Sequence, residues 1–514
     1  MLSVLIWLPI LGAAVIGFLP AAVPPRQIRN AALTVVGVTL LWSIWLFTQF
    51  DLSSPTLQLR EYLPWIETLG MNYELAMDGL ALVMLGINSL LTWIALLSAS
   101  ENTERPRLFY AMILLICGGV AGAFLAQNLL LFFLFYELEL VPFYLLISIW
   151  GGEKRGYAAI KFLIYTAISG ALILAGFLGL IWLTGSANFS YVAALGQTLP
   201  MNLQVLLLAV LLVGFGIKMP LVPFHTWLPD TYVEASTPVT ILLGGVLAKL
   251  GAYGILRFGL GLFPAAWSVL APVLATWGAV SILYGAMAAI AQKDIKRMVA
   301  YSSIGHMGYI LLGAAALTPL ALVGAMSQMV AHGLILAILF NLVGIVEQKV
   351  GSRELDVLNG LLNPIRGLPS IASLLILGAM ASAGIPGLAG FVAEFLIFQG
   401  SYSAFPVQTL VGVVGTGLTA VYFVILLNRT CFGRLDTKTA YYPQVQFEER
   451  LPALLLTALI VFLGVQPTWL VKWVESSSTA LVAAVPLALE QQIAVLPAAP
   501  PELKSAVSNL VQSK

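Results

Sequence analysis

Apolar runs of about twenty residues, parted by short polar connections, recur along the whole chain. Taken as windows long enough to cross a bilayer as helix, they fall at 2–23, 31–50, 79–99, 109–126, 129–149, 160–184, 203–219, 238–258, 267–291, 302–317, 320–346, 371–399, 407–431 and 452–474. Connections as tight as Gln127-Asn128 and Thr318-Pro319 join neighbours as antiparallel hairpins. Glycine and proline interrupt two of the runs: GFGIKMPLVPFHTWLP (214–229) in the seventh and ASAGIPGLAGFVAEF (381–395) in the twelfth. Breaks five spans apart predict two five-helix repeats, about 109–258 and 267–431, and an odd number of helices per repeat inverts their topology. Three helices (1–100) precede the repeats; a last span (452–474) and a peripheral tail (475–514) follow. The predicted fold is therefore an all-α polytopic membrane protein. It has about fourteen transmembrane helices and two inverted five-helix repeats, with helices 7 and 12 discontinuous. The plainer alternative is that membrane helices simply tolerate Pro and Gly.

Composition agrees. The 514 residues are 60% hydrophobic and 9% charged, which excludes an ordinary soluble domain. A net charge of +1 offers no nucleic-acid surface. The two cysteines, Cys117 and Cys431, lie in or beside apolar runs and read as buried structural thiols. Residues 2–23 lack a basic flank and a small-residue cleavage site, so they read as a retained span. Seventeen Lys and Arg fall in alternate connections (Arg26, Arg29, Arg105, Arg107, Lys154, Arg155, Lys161, Lys293, Lys296, Arg297, Lys349, Arg353, Arg366, Arg429, Arg434, Lys438, Arg450). Five fall on the other side: Arg60, Arg257, Lys472, Lys504 and Lys514. The first side is then cytoplasmic, or stromal in a plastid, with both termini opposite. An odd helix count would scramble this alternation.

Charge inside the spans carries the chemistry. Lys218 ends an apolar run just before Pro220 and Pro223; Lys249 lies within GGVLAKLGAYG, among small residues that leave room for close helices or water. Glu137 and Glu139 share the fifth span, His306 starts the tenth, His332 is inside the eleventh, and Glu394 follows the second break. A charge at mid-bilayer costs roughly 2.5–3.5 kcal/mol on insertion scales, so such residues face a cavity or a partner. Burial favours the neutral form of carboxyl and amine alike, and a nearby opposite charge favours the charged form. A Glu–Lys pair that forms and separates can therefore take up and release a proton, and histidine can relay it. Glu137, Lys218, Lys249, His332 and Glu394 read as a horizontal relay.

Each residue also has a plainer reading: a structural Lys218–Glu137 pair, a snorkelling Lys249, an interfacial His306, a satisfied core His332. Glu137 and Glu139, about 200° apart on a helix, cannot face one cavity. One faces the bundle and the other a neighbouring helix or subunit. His225 reads as a loop anchor, Arg257 as a headgroup anchor, and Asp78, Asp230 and Glu234 as solvated or salt-bridged. No phosphate loop, dinucleotide fingerprint or metal-spaced Cys/His set is present in the sequence, so a redox cofactor is not expected in this chain.

Five segments carry a resemblance: YELELVPFYLLISIWGGEKRGYAAIKFLIYT (136–166), GIKMPLVPFHTWLPDTYVEA (216–235), LAKLGAYGILRF (247–258), QKDIKRMVAYSSIGHMG (292–308) and GIPGLAGFVAEF (384–395). They resemble the antiporter-like subunits of respiratory complex I over about 75–430. ELELVP followed by WGGEKR is similar to the M-type (D) subunits of the cyanobacterial and chloroplast complexes. The resemblance implies a proton-translocating membrane-arm subunit of a ferredoxin- or NAD(P)H-driven, plastoquinone-reducing complex in the thylakoid membrane, with both termini lumenal. It implies membrane-arm neighbours of the L/F and N/B types and surrounding lipids. Iron–sulfur clusters and plastoquinone would be bound by other subunits. By the same resemblance Glu137 is the essential fifth-helix glutamate, and Lys218 and Lys249 are the lysines of the seventh and eighth helices. His306 and His332 lie on the linking path, and Glu394 stands at the exit. Glutamate rather than lysine at 394 follows the M-type pattern. The other reading is a subunit of a multisubunit Na⁺/H⁺ antiporter, which shares the motifs around both lysines. A scaffold that only buries lipid and neighbours would have little reason to keep these charges.

Overall fold

The computed structural model describes residues 1–20, 22–54, 56–101, 103–434 and 442–495, the last five of these as backbone only. Lys438, Lys504, Lys514 and the end of the expected tail lie outside the described residues. The apolar runs become helices in the expected order: α1 (Ser3–Gly17), α2 (Pro25–Gln49), α3 (Gly79–Leu97), α4 (Pro106–Leu125), α5 (Leu129–Trp150) and α6 (Arg155–Thr184). The next helix, α7, has two halves, Met201–Lys218 and Trp227–Glu234; α8 (Thr237–Leu260), α9 (Pro264–Ile290), α10 (Ile295–Ala315) and α11 (Pro319–Val350) follow. Then α12 is again split, Pro369–Ser382 and Ala389–Ser401, before α13 (Pro406–Thr430), α14 (Phe447–Val465) and α15 (Thr468–Val495). Among the described residues ten helices are long and apolar enough to cross a membrane, or eleven if Phe447–Val465 and Thr468–Glu490, bent by 71°, count as one. Ser3–Gly17 and both halves of α12 are apolar but shorter.

Three features differ from the sequence reading. Residues 51–78 are not merely a connection: β1 (Gln58–Ile66) and β2 (Met71–Met77) form an antiparallel hairpin, with Glu61 opposite Leu75 and Leu63 opposite Tyr73. Its Glu61 carboxylate receives the N-terminal ammonium of Met1, the Leu2 and Ser3 amides and the Ser3 hydroxyl. The last apolar run does not end at 474. Gln466-Pro467 breaks it, and α15 runs on, the Ser477 hydroxyl accepting from Gly79 N at 3.0 Å and the Ser478 hydroxyl donating to Pro319 O at 2.9 Å. Finally, α8 is not a uniform α-helix, because Leu243–Leu247 and Ile255–Leu260 take wider π-helical turns on either side of Lys249.

α8 is also the centre of the molecule, with its membrane window wholly buried. Glycines make that possible. A Cβ on Gly251 would meet the Met219 nitrogen at 2.7 Å, so α8 packs directly on the backbone where α7 breaks. At the second break Gly384 has φ +70°, which favours glycine, and a Cβ there would also meet Glu394 Oε2 at 3.1 Å.

Candidate functional site

Lys218 is the last residue of the first half of α7, where unpaired carbonyls favour a cation. It is buried, and its ammonium donates to Glu139 Oε1 at 2.5 Å and to the Tyr136 carbonyl at 3.3 Å. The Tyr136 ring lies beneath it, 3.2 Å from Nζ to the centroid, a cation–π contact. Tyr136 Oη meets Ser169 Oγ at 3.1 Å, and Ser169 donates to Gly214 O at 2.7 Å, tying the ring to α6 and α7.

The expected partner of Lys218 is corrected here. Glu139, not Glu137, holds the lysine. Pro142 withholds the amide that would bond to the Leu138 carbonyl, and α5 is interrupted at Glu139 as a result. Glu139 turns inward at that interruption, at 1% exposure. Glu137 points the other way, over Gly170 of α6, and its Oε1 has no hydrogen-bond partner. The expectation that the two glutamates face different ways holds, with the roles exchanged.

Lys249 is held differently. Its ammonium reaches the Gly244 carbonyl at 2.5 Å, inside the first wide turn of α8, and His332 Nδ1 of α11 at 2.9 Å. Among the described residues it has no ion pair. The His332 ring lies 4.9 Å from that of His306, tilted by 35°. His306 is buried, not interfacial. Its Nε2 meets Ser382 Oγ at 3.0 Å, and its Nδ1 lies 3.2 Å from Gln328 Nε2 and 3.4 Å from Glu394 Oε1. Glu394 Oε2 accepts from Thr416 at 2.9 Å. Lys249, His332, His306 and Glu394 thus lie in one row across α8, α11, α10 and α12, with a ring contact but, among the described residues, no hydrogen bond between the two histidines. Lys218 and Glu139 form a separate pair, and among the described residues no hydrogen bond joins it to Lys249. Amine, imidazole and carboxylate are each able to accept and to release a proton, so such a row has the chemistry for stepwise transfer.

The site now meets its comparisons. The profile of the family described as "NADH:quinone oxidoreductase/Mrp antiporter, TM" matches residues 126–419, which includes every residue of both groups. NAD(P)H-quinone oxidoreductase chain 4 1 of Synechococcus sp. (strain JA-3-3Ab) is 40% identical over 512 residues, covering 97% of this chain and 96% of that one. The chain belongs to the family of NAD(P)H-quinone oxidoreductase chain 4 subunits. Among solved structures, a chain of respiratory complex I from Thermus thermophilus with bound NADH superposes with a TM-score of 0.84 at 27% identity, covering 94% of this chain and all of that one. A chain of the Mrp complex from Dietzia sp. DQ12-45-1b superposes at 0.83 with 22% identity, over 96% and 99% of the two chains, and shares the fold.

The other charges singled out from the sequence of this chain 4 family member lie at or near helix ends. Arg257 is buried, not a headgroup anchor: it donates to Asp78 at 2.9 Å and Gln127 at 2.7 Å, with the Tyr191 ring 4.4 Å away. Asp78 also caps α3 through Ala81 N. Asp230 binds Lys161 at 2.8 Å and Arg297 at 3.0 Å. Glu234 accepts from Lys154 N at 2.8 Å. His225 is buried against Tyr284, ring centroids 4.7 Å apart. Gln328, Ser382, Thr416 and Tyr136, which orient the charged groups, were not singled out from sequence; their signal is a polar or aromatic residue in an otherwise aliphatic helix, which many structural residues share.

Proposed function

We propose that this chain translocates protons in the membrane arm of a complex I–type NAD(P)H-quinone oxidoreductase. The observation that carries the proposal is the buried run Lys249–His332–His306–Glu394. Lys218, gripped by Glu139, sets the charge at the head of that run. Quinone reduction elsewhere in the complex perturbs the pair. A proton then moves from Lys249 through His332 and His306 to Glu394, which releases it on the side opposite the basic loops. In this reading the basic loops face the cytoplasm or stroma, both termini are lumenal, and the membrane is a thylakoid. The helix breaks at 218–227 and 382–389 mark two inverted repeats. L/F- and N/B-type subunits flank the chain, ferredoxin supplies electrons, and other subunits hold the iron–sulfur clusters and plastoquinone.

Lys249→Met tests the proposal, because this lysine leaves no paired carboxylate behind when removed. In the assembled complex in closed vesicles, protons moved per electron should fall while quinone reduction continues. An unchanged ratio refutes it. The rival reading, a Na⁺/H⁺ antiporter subunit, is favoured by the fold shared with the Mrp chain and predicts co-purification without iron–sulfur subunits.

A further inference from the structure

A groove of about 830 Å³ lies between α1, α2 and α4, far from the row that starts at Lys249. Its apolar walls repeat at helical spacing: Ile10, Ala14 and Gly17 on α1, and Leu108, Met112 and Leu115 on α4. Small residues make the space, since nothing larger than a methyl stands at 14 or 17. The mouth lies where α1 ends and where α2 and α4 begin, on the side of the basic loops. From Pro106 at the mouth to Leu115 at the far end, α4 rises roughly 14 Å. One leaflet of a bilayer's hydrocarbon core is roughly 15 Å thick. The groove is thus one leaflet deep, with its mouth at headgroup level.

That mouth is basic. Arg105 and Arg107 are among the walls, and no acidic residue is, the adjacent Glu104 included. The Arg105 side chain is exposed and makes no ion pair or hydrogen bond among the described residues. Arg107 donates to the Leu19 carbonyl at 2.6 Å, which offsets the negative end of α1, and has no acidic partner among the described residues. Glu101, in the preceding loop, is taken by Arg29 at 3.2 Å and Arg26 at 3.8 Å. Pro25 and Pro106 open α2 and α4 at the mouth, and helix N-termini add partial positive charge there. A guanidinium without an acid is suited to a phosphate, which it meets with two parallel N–H bonds.

We infer that this groove binds an anionic phospholipid of the surrounding bilayer, an acyl chain lying between α1, α2 and α4 and the phosphate meeting Arg105 and Arg107. The walls take the chain of any lipid; the arginines select the charge. Basic pockets between membrane helices on the side of the basic loops favour anionic headgroups for the same reason. A free phosphate would use the mouth alone and leave the apolar depth of the groove unfilled. The site shares no residue with the proton path proposed above, so neither reading depends on the other.

The test uses the assembled complex in nanodiscs of phosphatidylcholine. A trace of phosphatidylglycerol, or of phosphatidylcholine, carries a photoreactive acyl chain, and labelled peptides are mapped by mass spectrometry. The phosphatidylglycerol probe should label residues 10–18 and 108–115 and be displaced by unlabelled phosphatidylglycerol; the phosphatidylcholine probe should label them far less. Arg105→Gln should lower that preference about fivefold, since a basic residue at the membrane surface is worth about 1 kcal/mol toward anionic lipid. Arg26→Gln, on the same side but not a wall of the groove, should keep the preference. Ala14→Phe, which fills the groove and keeps both arginines, should abolish labelling by either probe. Equal labelling by the two probes, or a preference unmoved by Arg105→Gln, overturns the proposal. Labelling by neither probe means that a neighbouring subunit covers the groove, and overturns it as well. Should Ala14→Phe not assemble, Arg105→Gln, which breaks no bond within the described residues, decides alone.

Discussion

Glu139→Gln is the sharpest test of how Lys218 is held. The two side chains are 1% and 2% exposed and 2.5 Å apart, so neither charge has water to fall back on. Removing one member of such a pair leaves an uncompensated buried charge and costs about 3–5 kcal/mol. That is about a fifth or more of a stability of roughly 5–15 kcal/mol. The Tyr136 ring and the Tyr136 carbonyl offset part of it, but neither carries a full negative charge. Glu137→Gln should cost far less, because the Lys218 ammonium bonds to Glu139 and not to Glu137. The assay is a double-mutant cycle on thermal unfolding and assembly yield of the detergent-solubilised complex, with Glu139→Gln, Lys218→Met and both together. The double variant should recover most of the loss, since replacing both ions with uncharged side chains is often neutral. Additive losses, or a Glu137→Gln effect as large as that of Glu139→Gln, would refute the pairing.

Two more outcomes follow from the ends of the bundle. Arg257→Leu strands Asp78 and Gln127 and should destabilise the subunit by about 3–5 kcal/mol; Arg257→Lys, with one compact charge for two acceptors, should recover only part, read by the same melts. Burial pushes the Glu61 carboxyl up, but hydrogen bonds from the N-terminal ammonium, Ser3 and the Leu2 and Ser3 amides outweigh it and hold the group below its usual range. Its anchoring of the N-terminus is therefore full above ordinary carboxyl pKa values and lost as pH falls below them. Protection of the Leu2 and Ser3 amides, measured against the unstructured chain at the same pH, should be lost only in that acid window in the wild type, and at all pH values in Glu61→Gln.

Helix order, both breaks and every charged member of the run were legible in the sequence, because each depends on local facts: an apolar run, a proline, a lone charge. What was not legible depends on contacts between distant segments. Spacing showed that Glu137 and Glu139 diverge, yet which of them turns inward is set by how α5, interrupted before Pro142, docks on α6 and α7. Arg257 sits near a helix end, where a headgroup anchor and a buried ion pair look alike until Asp78, 179 residues earlier, closes on it. The hairpin was missed because QLREYLPWI follows a long apolar helix and carries a proline, which argues against a strand interior.

The two buried lysines are held in different ways. Lys218 has a carboxylate, an aromatic face and a helix C-terminus, all of which stabilise its charged form. Lys249 has one carbonyl and one imidazole nitrogen, and neither supplies a full counter-charge. Their positions fit this division: Lys218 ends a broken helix against its counter-ion, while Lys249 stands between two wide turns, in contact with the first of two histidines that lead to Glu394.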